Sequence, residues 1–302
     1  MLINIGNMGN LEWTGERLTT GLESVHGVIE HLHRYALAQK ITNNKVVLDI
    51  ASGEGYGSFL ISKNATKVFG VDIDEKSINH AKAKYSNSKK IEFKVGSTDA
   101  IPLEDNSVDV VISFETIEHH DKHDLMMTEI LRVLKNDGIL LISSPEKSIY
   151  SERDPNNPYH IKELTLEEFE SLLNKNFKNV SLFNQRYVMG SLIHLINKEA
   201  VSKFNLFDGD YLNIENELFE EDFYNKPYFN LAICSNKNNE NYLDIGASIF
   251  NGASVVKKEI SEFRAKYEKN YADALNSKSY KLGNSVIRKV KIFKKIWQKL
   301  NP

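Results

Sequence analysis

Two carboxylates and an imidazole stand close together in the sequence ETIEHH, where Glu115, Glu118 and His119 follow a short apolar run. Spacings of i, i+3 and i+4 would place the three side chains on one face of a helix. Two anionic oxygens and a neutral imidazole nitrogen suit a hard or borderline divalent cation such as Mg²⁺, and His160 in NPYHIKEL could supply a fourth ligand. The alternative is that Glu118 and His119 only orient one another and their loop, without a metal.

A second pattern with chemical meaning is the glycine-rich stretch VVLDIASGEGYGS at residues 46–58. A β-branched apolar run leads directly into Gly53, Gly55 and Gly57 and then into a helical pattern, which predicts a strand, a turn and a helix. Glycines let a backbone close on a ligand and adopt positive φ. The pattern favours a nucleoside or nucleotide ligand, although an ordinary strand-to-helix turn would also explain it.

Two further groups lie where predicted strands end. Asp72 ends the second strand, where an acid can hydrogen-bond ribose hydroxyls, or it could simply cap the helix that starts after Asp74. After the third strand, Gly96, Ser97 and Thr98 could bring backbone and hydroxyl groups to an adenine edge.

The elements that must position these residues alternate along the chain. Apolar runs predict strands at 46–50, 68–71, 91–95, 108–113 and 139–142, and helical spacing predicts helices at 25–36, 77–85 and 125–134. This alternation implies right-handed crossovers and a parallel sheet with helices on both faces.

The pattern changes from Leu164 onward. A helix capped by Thr165 leads to strand-like segments at 177–185 and 228–235. Because about 40 residues separate these two segments, we expect a sheet whose last pair is antiparallel, with residues 187–227 as an added cap. We therefore divide the chain into an N-terminal lid and helix (1–40), a central domain (41–240) and a helical tail (241–302).

Composition limits the class of protein. With 302 residues and 41% hydrophobic residues, the chain can bury a full core. Cys234 is the single cysteine, no basic and apolar leader opens the sequence, and no window is apolar enough for a membrane span. We expect a cytoplasmic protein, with the inner face of the membrane as a further location.

The net charge is divided unequally. Residues from 278 onward carry eight basic side chains and no acid, which gives this segment a charge of +8. Because the net charge of the whole chain is −3, the rest of the chain carries −11. An acidic body argues against general nucleic-acid binding through a basic face.

Four segments in order, LDIASGEGYG, FGVDID, GSTDAIPLEDNSVDVVISFETIEH and EILRVLKNDGILLISSP, resemble the class I S-adenosylmethionine-dependent methyltransferases over about residues 13–235. The resemblance implies a Rossmann-like α/β fold with a seven-stranded sheet. It also implies a set of residues that bind S-adenosylmethionine: Tyr35, Asp49, Ala51, Gly53, Gly55, Gly57, Asp72, Ile73, Ser97, Thr98 and Phe114.

Within that set, the resemblance assigns the methionine part of the cofactor to Asp49 and the glycine turn, the ribose to Asp72 and the adenine region to Ser97. It also implies that His33, Arg34 and Tyr35 face the cofactor carboxylate. For His33, a position on the helix surface is the alternative.

The E-x-x-E-H pattern of Glu115, Glu118 and His119 resembles the metal site of ubiquinone-pathway O-methyltransferases. With the later His160, it also resembles that of small-RNA 2′-O-methyltransferases. Both groups act on hydroxyls beside another oxygen. Because methyl transfer is an in-line displacement, we expect these catalytic candidates to align an acceptor oxygen and to help remove its proton.

The tail carries two apolar stripes. Basic residues surround one at helical spacing (Val286, Val290, Phe293, Trp297 and Leu300), which predicts a basic amphipathic helix for an anionic membrane surface. Docking on a partner or on the body is the alternative. The other stripe could pair two protomers into a homodimer: Ile260, Phe263, Tyr267, Tyr271 and Ala274.

The tail, the WTGER cluster at 13–17 and NPYHIKEL are also similar to segments of surface-polysaccharide glycosyltransferases and their companion methyltransferases. The resulting hypothesis is an O-methyltransferase that acts on a sugar hydroxyl of a surface glycan or its precursor. Two alternatives stay open: an O-methyltransferase of quinone-like or catechol small molecules, and a non-catalytic cofactor-binding scaffold in a glycan-assembly complex.

Overall fold

A seven-stranded sheet forms the centre of the N-terminal unit. The computed structural model describes residues 25–153, 157–187, 206–209, 214–217, 227–237 and 248–300. Its sheet contains, in chain order, β1 (Val46–Ile50), β2 (Lys67–Asp72), β3 (Ile91–Val95), β4 (Val108–Ser113), β5 (Leu134–Pro145), β6 (Asn179–Gln185) and β9 (Phe229–Ser235). A separate two-stranded sheet pairs β7 (Leu206–Gly209) with β8 (Ile214–Glu217).

The strand order of the large sheet is β3-β2-β1-β4-β5-β9-β6. Strands β1 to β5 pair in parallel, whereas β9 lies antiparallel between β5 and β6. The predicted Rossmann-like α/β fold and its antiparallel closing pair are therefore confirmed. Because β1 to β5 are parallel, the residues that follow each of them meet at one edge of the sheet, its C-terminal edge.

Helices cover both faces of this sheet. They are α1 (Val25–Ile41), α2 (Tyr56–Ser62), α3 (Glu75–Lys84), α4 (His123–Val133), α5 (Lys147–Arg153) and α6 (Leu166–Asn176). In β4, Val111 packs into the core cluster that contains Met126 of α4 and Phe169 of α6, whereas its neighbour Ile112 packs into the cluster with Ile61 of α2. Side chains alternate across a strand, so β1, β2, β4 and β5 each contribute to both layers.

Several element boundaries differ from the sequence prediction, and two of them have a clear physical cause. Strand β5 begins at Leu134 rather than at residue 139, because Leu134 pairs with Val108 before the register shifts and Ile139 pairs with Val110. Polar residues 135–137 within this irregularity hide the strand from a hydrophobic pattern. Helix α3 begins at Glu75 because the side chain of Asp74 accepts hydrogen bonds from the amides of Lys76 and Ser77 and caps it.

The cap predicted for residues 187–227 lies mostly outside the described residues. Between residues 188 and 226, the structure describes only β7 and β8. The WTGER cluster at 13–17 also lies outside them.

Residues from Asn251 onward form a second unit. Helix α7 (Ala253–Asn276) and helix α8 (Lys278–Leu300) are separated by Ser277, whose ψ of 146° is extended. Helix α7 has no buried residue, and Phe263 and Tyr267 of its apolar stripe are exposed. Among the described residues, no helix is long and apolar enough to cross a membrane.

Candidate active site

The glycine turn lies at the C-terminal edge of β1. Ala51, Gly53 and Gly55 all have positive φ, at 59°, 52° and 79°. Glycine adopts positive φ without strain, whereas other residues do so at an energetic cost. The backbone is therefore locally strained at Ala51. At Gly57 the limit is space, because an added Cβ would lie 2.0 Å from Cζ of Tyr35. The turn thus brings bare backbone to the sheet edge, as the sequence predicts.

Asp49 lies directly below this turn and is buried. Its carboxylate accepts hydrogen bonds from the hydroxyls of Tyr35 at 3.1 Å and Ser58 at 2.6 Å. Burial raises the pKa of Asp49 to about 6, against the opposing effect of these two donors. A buried carboxylate of this kind favours a positively charged ligand group.

Asp72 connects two loops at the same edge. One oxygen accepts from the Gly53 amide at 2.8 Å, and the other accepts from the Asp74 amide at 2.9 Å. Asp74, and not Asp72, caps α3, so the capping alternative for Asp72 is wrong. The next residue, Ile73, exposes 74% of its surface, which gives the edge an apolar face beside the carboxylate.

The loop after β3 is held to the segment after β4. Ser97 donates its hydroxyl hydrogen to Asp99, whose carboxylate also pairs with Lys122 at 2.6 Å. Oγ1 of Thr98 lies 3.1 Å from Nε2 of His120. The structure therefore brings the predicted adenine loop next to the acidic and histidine-rich segment.

The helix predicted after β4 is absent, which corrects the geometry assigned to Glu115, Glu118 and His119. Glu115 has a φ of 50°, and the chain then makes only a 3₁₀ turn over Ile117–His119. A left-handed residue interrupts helical spacing, so the three side chains do not share one helix face. Glu115 separates from the other two.

Glu115 instead joins a partly buried ion pair. One of its oxygens lies 3.2 Å from Nη1 of Arg34 and also accepts from the Ser143 hydroxyl at 2.6 Å. Arg34 is 1% exposed, and the same Nη1 donates to Gln185 at 3.0 Å. Its guanidinium also lies 4.8 Å from the centre of the Phe229 ring.

The remaining nitrogens of Arg34 define a free edge. Nε and Nη2 are buried and have no hydrogen-bond partner among the described residues. These two nitrogens form the side of a guanidinium that binds a carboxylate through two parallel hydrogen bonds. The neighbours predicted to act with Arg34 point elsewhere: Tyr35 contacts Asp49, and Nε2 of His33 lies 2.9 Å from Oγ of Ser248.

Glu118, His119 and His160 form one cluster, in which each residue offers a ligand atom within 4.8 Å of the others. The amides of Ile161 and Lys162 both donate to the Glu118 carbonyl, at 2.9 and 3.0 Å. These bonds hold the loop that carries His160 against the 3₁₀ turn. The predicted ligand set is thus brought together, with the exception of Glu115.

Both imidazoles are oriented by their Nδ1 atoms. Nδ1 of His119 lies 3.1 Å from the carbonyl oxygen of Tyr159, and Nδ1 of His160 bonds to the carboxylate of Glu163. A carbonyl only accepts, so Nδ1 of His119 carries the hydrogen and Nε2 keeps its lone pair. Partners of this kind typically orient metal-binding histidines.

Glu118 completes the cluster as a buried acid, and its Oε1 lies 3.9 Å from Nε2 of His119. It is 1% exposed, and its Oε2 atom has no hydrogen-bond partner among the described residues. Burial, with a further effect of Glu115, raises the pKa of Glu118 well above its usual value. A cation beside this oxygen would remove both penalties.

Sequence reasoning missed the residues that support this site. Ser58, Ser143, Gln185 and Glu163 each orient a predicted residue, and they come from four different elements or loops. Only Glu163 carried a local signal, since it lies three residues after His160.

Known proteins share the part of the chain that contains the glycine turn, Asp72 and the Glu118 cluster. Residues 41–209 match a protein-family model described as a methyltransferase domain. Over 166 residues, the chain is 37% identical to a probable S-adenosylmethionine-dependent methyltransferase of Mycolicibacterium smegmatis. This match covers 54% of this chain and 63% of the relative. A relative of the same description from Mycobacterium tuberculosis is 40% identical over 129 residues, or 42% of this chain and 46% of the relative.

In both cases, the match spans less than two thirds of the relative's own length. Among solved structures, the methyltransferase in a complex with the Haloferax volcanii Trm112 methyltransferase activator is 18% identical, with a TM-score of 0.50. The likeness covers 71% of this chain and 91% of that one, and it concerns the fold alone.

Proposed function

Since the chain belongs to the class I S-adenosylmethionine-dependent methyltransferase family, we propose that it methylates a hydroxyl of a sugar in a surface glycan or its nucleotide- or lipid-linked precursor. The observation that carries this proposal is the cluster of Glu118, His119 and His160 beside the cofactor edge of the sheet. Such a cluster suits an acceptor with two neighbouring oxygens, and a sugar ring has this arrangement.

S-adenosylmethionine is the cofactor of this family, and when bound it supplies a methyl group on a positively charged sulfur. The residues present fit it. Asp72 is placed to accept from ribose hydroxyls, the bare turn at Gly53 and Gly55 leaves room for the ligand, and exposed Ile73 offers an apolar face for adenine. Buried Asp49 favours the positive charge of the methionine part.

Arg34 would hold the other end of the methionine part. Its Nε and Nη2 edge, which has no partner among the described residues, matches a carboxylate, and Glu115 and Gln185 hold Nη1. Arg34 lies on α1, and the next residue of this helix, Tyr35, packs against Gly57 of the turn. One helix thus supports both the turn and the carboxylate end of the site.

The cluster also fits a divalent cation. Glu118 would provide a carboxylate oxygen, and His119 and His160 would each provide a ring nitrogen. Two imidazoles and one carboxylate suit Mn²⁺, Fe²⁺, Co²⁺ or Zn²⁺ better than Mg²⁺, which prefers oxygen ligands. A cation there would supply positive charge that makes a neighbouring hydroxyl more acidic.

The chain's own groups can also take the acceptor's proton. Nε2 of His119 has a lone pair because the Tyr159 carbonyl occupies Nδ1, and the raised pKa of Glu118 makes its carboxylate a stronger base than usual. Such a base contributes about 10²–10⁴-fold to the rate. Tyr159, which is 45% exposed beside the cluster, gives a ring face against which a sugar can stack.

The substrate is tested with methyl-labelled S-adenosylmethionine and a cell extract divided into glycan-precursor, quinone and protein fractions. We expect label in the glycan-precursor fraction, recovered after acid hydrolysis as an O-methyl sugar. The Asp72→Ala variant is the control and should transfer no label. Label in the quinone fraction would replace the sugar by a catechol-like acceptor, and stoichiometric cofactor binding without labelling of any fraction would favour a scaffold.

The metal is tested by chelation. After EDTA treatment, turnover should disappear and return with Mn²⁺ or another divalent ion, while cofactor binding is unchanged. His160→Ala should weaken Mn²⁺ binding in calorimetry at least tenfold, since a ligand is lost. His80→Ala, a histidine of α3 far from the cluster in sequence, is the matched control. If the metal-depleted protein is fully active and His119→Ala is inactive, His119 acts as a general base without a metal.

A further inference from the structure

We propose that helix α8 binds an anionic lipid surface and lies in the plane of that surface. The inference concerns the second unit of the chain and does not depend on the proposed function. It is carried by the charge and the exposure of α8.

The charge of α8 has a single sign. From residue 278 onward the sequence carries eight basic residues and no acidic one, although the rest of the chain carries −11. The basic side chains that the structure describes in this helix are all exposed: Lys278, Lys281, Arg288, Lys289 and Lys291. Within the described side chains, none of the five takes part in an ion pair, so these cations are available to an external anion.

The same helix exposes apolar side chains. Leu282 is 69% exposed and Val286 is 53% exposed. The two residues are four positions apart and share a face of the helix, and the sequence continues apolar positions at helical spacing through 290, 293, 297 and 300. An exposed apolar stripe flanked by cations is typical of helices that lie in a membrane interface.

The combination of exposed cations and an exposed apolar stripe favours a lipid surface over nucleic acid or a second copy of α8. Nucleic-acid phosphates would bind the cations but would leave Leu282 and Val286 in water. A second copy of α8 would cover the stripe but would bring two sets of like charges together. Lipid headgroups and acyl chains meet both requirements, since the headgroups bind the cations and the acyl chains cover the apolar stripe.

The test is cosedimentation of the full chain with vesicles at low salt. We expect binding to vesicles of equal parts phosphatidylglycerol and phosphatidylcholine, weak or no binding to phosphatidylcholine alone, and loss of binding as salt is raised. The double variant Lys289→Glu and Lys291→Glu should weaken binding at least tenfold, because each basic residue near such a surface contributes about fivefold. Leu282→Ser with Val286→Ser should also weaken it.

Matched changes in α7 are the controls. Lys257→Glu with Lys258→Glu makes the same charge change, and Ile260→Ser with Phe263→Ser makes a similar apolar change, both outside α8. Circular dichroism checks that every variant keeps its helix content. Equal binding to both vesicle types, equal loss with the α7 pairs, or binding to duplex DNA but not to vesicles would overturn the proposal.

Discussion

Buried ionisable side chains are concentrated at the C-terminal edge of the sheet. Arg34, Asp49, Asp72 and Glu118 are all buried there, and Arg34 and Glu118 keep polar atoms without a partner among the described residues. A buried, unpaired charge destabilises a protein unless a ligand compensates it. Burial raises the pKa of Asp49 and of Glu118. Groups with shifted pKa values cluster at functional sites, so these two carboxyls predict a measurable link between ligand, pH and stability.

Asp49 should make the protein less stable as the pH rises. Burial raises the pKa of Asp49 from 3.8 to about 6, so its stabilising contribution is fully present below pH 3.8 and is lost as the pH rises through about 6. The shift corresponds to about 3 kcal/mol in the free energy of unfolding. Urea unfolding across this range should show wild-type stability falling by about that amount relative to Asp49→Asn.

The Ser58→Ala variant tests the cause. It removes a hydrogen bond that favours the ionised form, so the pKa of Asp49 should rise further and the loss of stability should extend to higher pH. A difference between wild type and Asp49→Asn that does not change with pH would show that Asp49 does not titrate in this range.

Arg34→Gln should weaken S-adenosylmethionine binding tenfold or more in calorimetry. The variant loses the charge-assisted hydrogen bonds of the Nε and Nη2 edge, worth about 1.5–3 kcal/mol each. Methylthioadenosine, which has no carboxylate, should bind wild type and variant equally. A loss of affinity for both ligands would show that the variant disturbs the site as a whole.

Arg34→Gln also leaves Glu115 without its cation, which destabilises the fold. The double variant Arg34→Gln with Glu115→Gln should recover stability without recovering cofactor affinity. Recovery of both would place Arg34 in a purely structural role.

At the scale of elements, short turns rather than long helices set the geometry of the site. The 3₁₀ turn after β4 and the loop around His160 bring two ring nitrogens and a carboxylate together, whereas a regular helix would have kept Glu115 in the set. Helix α6 then begins with a capping box between Thr165 and Glu168 and fixes the end of that loop.

The turn into α2 should not tolerate a side chain at Gly57. A Cβ would lie 2.0 Å from the Tyr35 ring, so Gly57→Ala should destabilise the N-terminal unit by about 1–3 kcal/mol in urea unfolding. In a Tyr35→Leu background, the same change should cost less, because the ring atoms that clash are gone.

Gly283→Ala in α8 is the matched control. Apart from the helix's own backbone, no described atom lies within 4 Å of a Cβ added at that position. The substitution should therefore leave the N-terminal unit unaffected and raise helix content, since alanine favours a helix by about 1 kcal/mol. Equal destabilisation by both substitutions would show that the contact with Tyr35 is not the cause.

On the scale of the whole molecule, the chain separates into two units of different character. The unit up to Phe250 has a sheet buried between helices, whereas the unit from Asn251 consists of two helices with no buried side chain among those described. All the candidate cofactor residues belong to the first unit. The cations of α8 belong to the second.

Truncation after Asn276 should therefore leave S-adenosylmethionine affinity within about twofold of the full chain in calorimetry, because it removes α8 and none of the cofactor residues. The shortened protein should no longer sediment with anionic vesicles. A large loss of cofactor affinity would mean that α8 supports the site directly.

The sequence by itself determined the fold and the edge at which the site lies. Hydrophobic runs locate the parallel strands, and the residues after them, such as Gly53, Asp72 and Ser97, must meet at one edge because parallel strands end together. The same reasoning found the capped helix after Thr165 and the helical tail. These features depend on local periodicity, which a sequence displays directly.

Only the tertiary structure decided which side chains meet. His119 and His160 are far apart in sequence and meet because two amides bind the Glu118 carbonyl. The left-handed φ of Glu115, which sends that residue to Arg34 and Ser143 instead, has no signature in a hydrophobic pattern. Contacts between distant segments depend on how loops close over the sheet, and a residue's spacing along the chain does not contain that information.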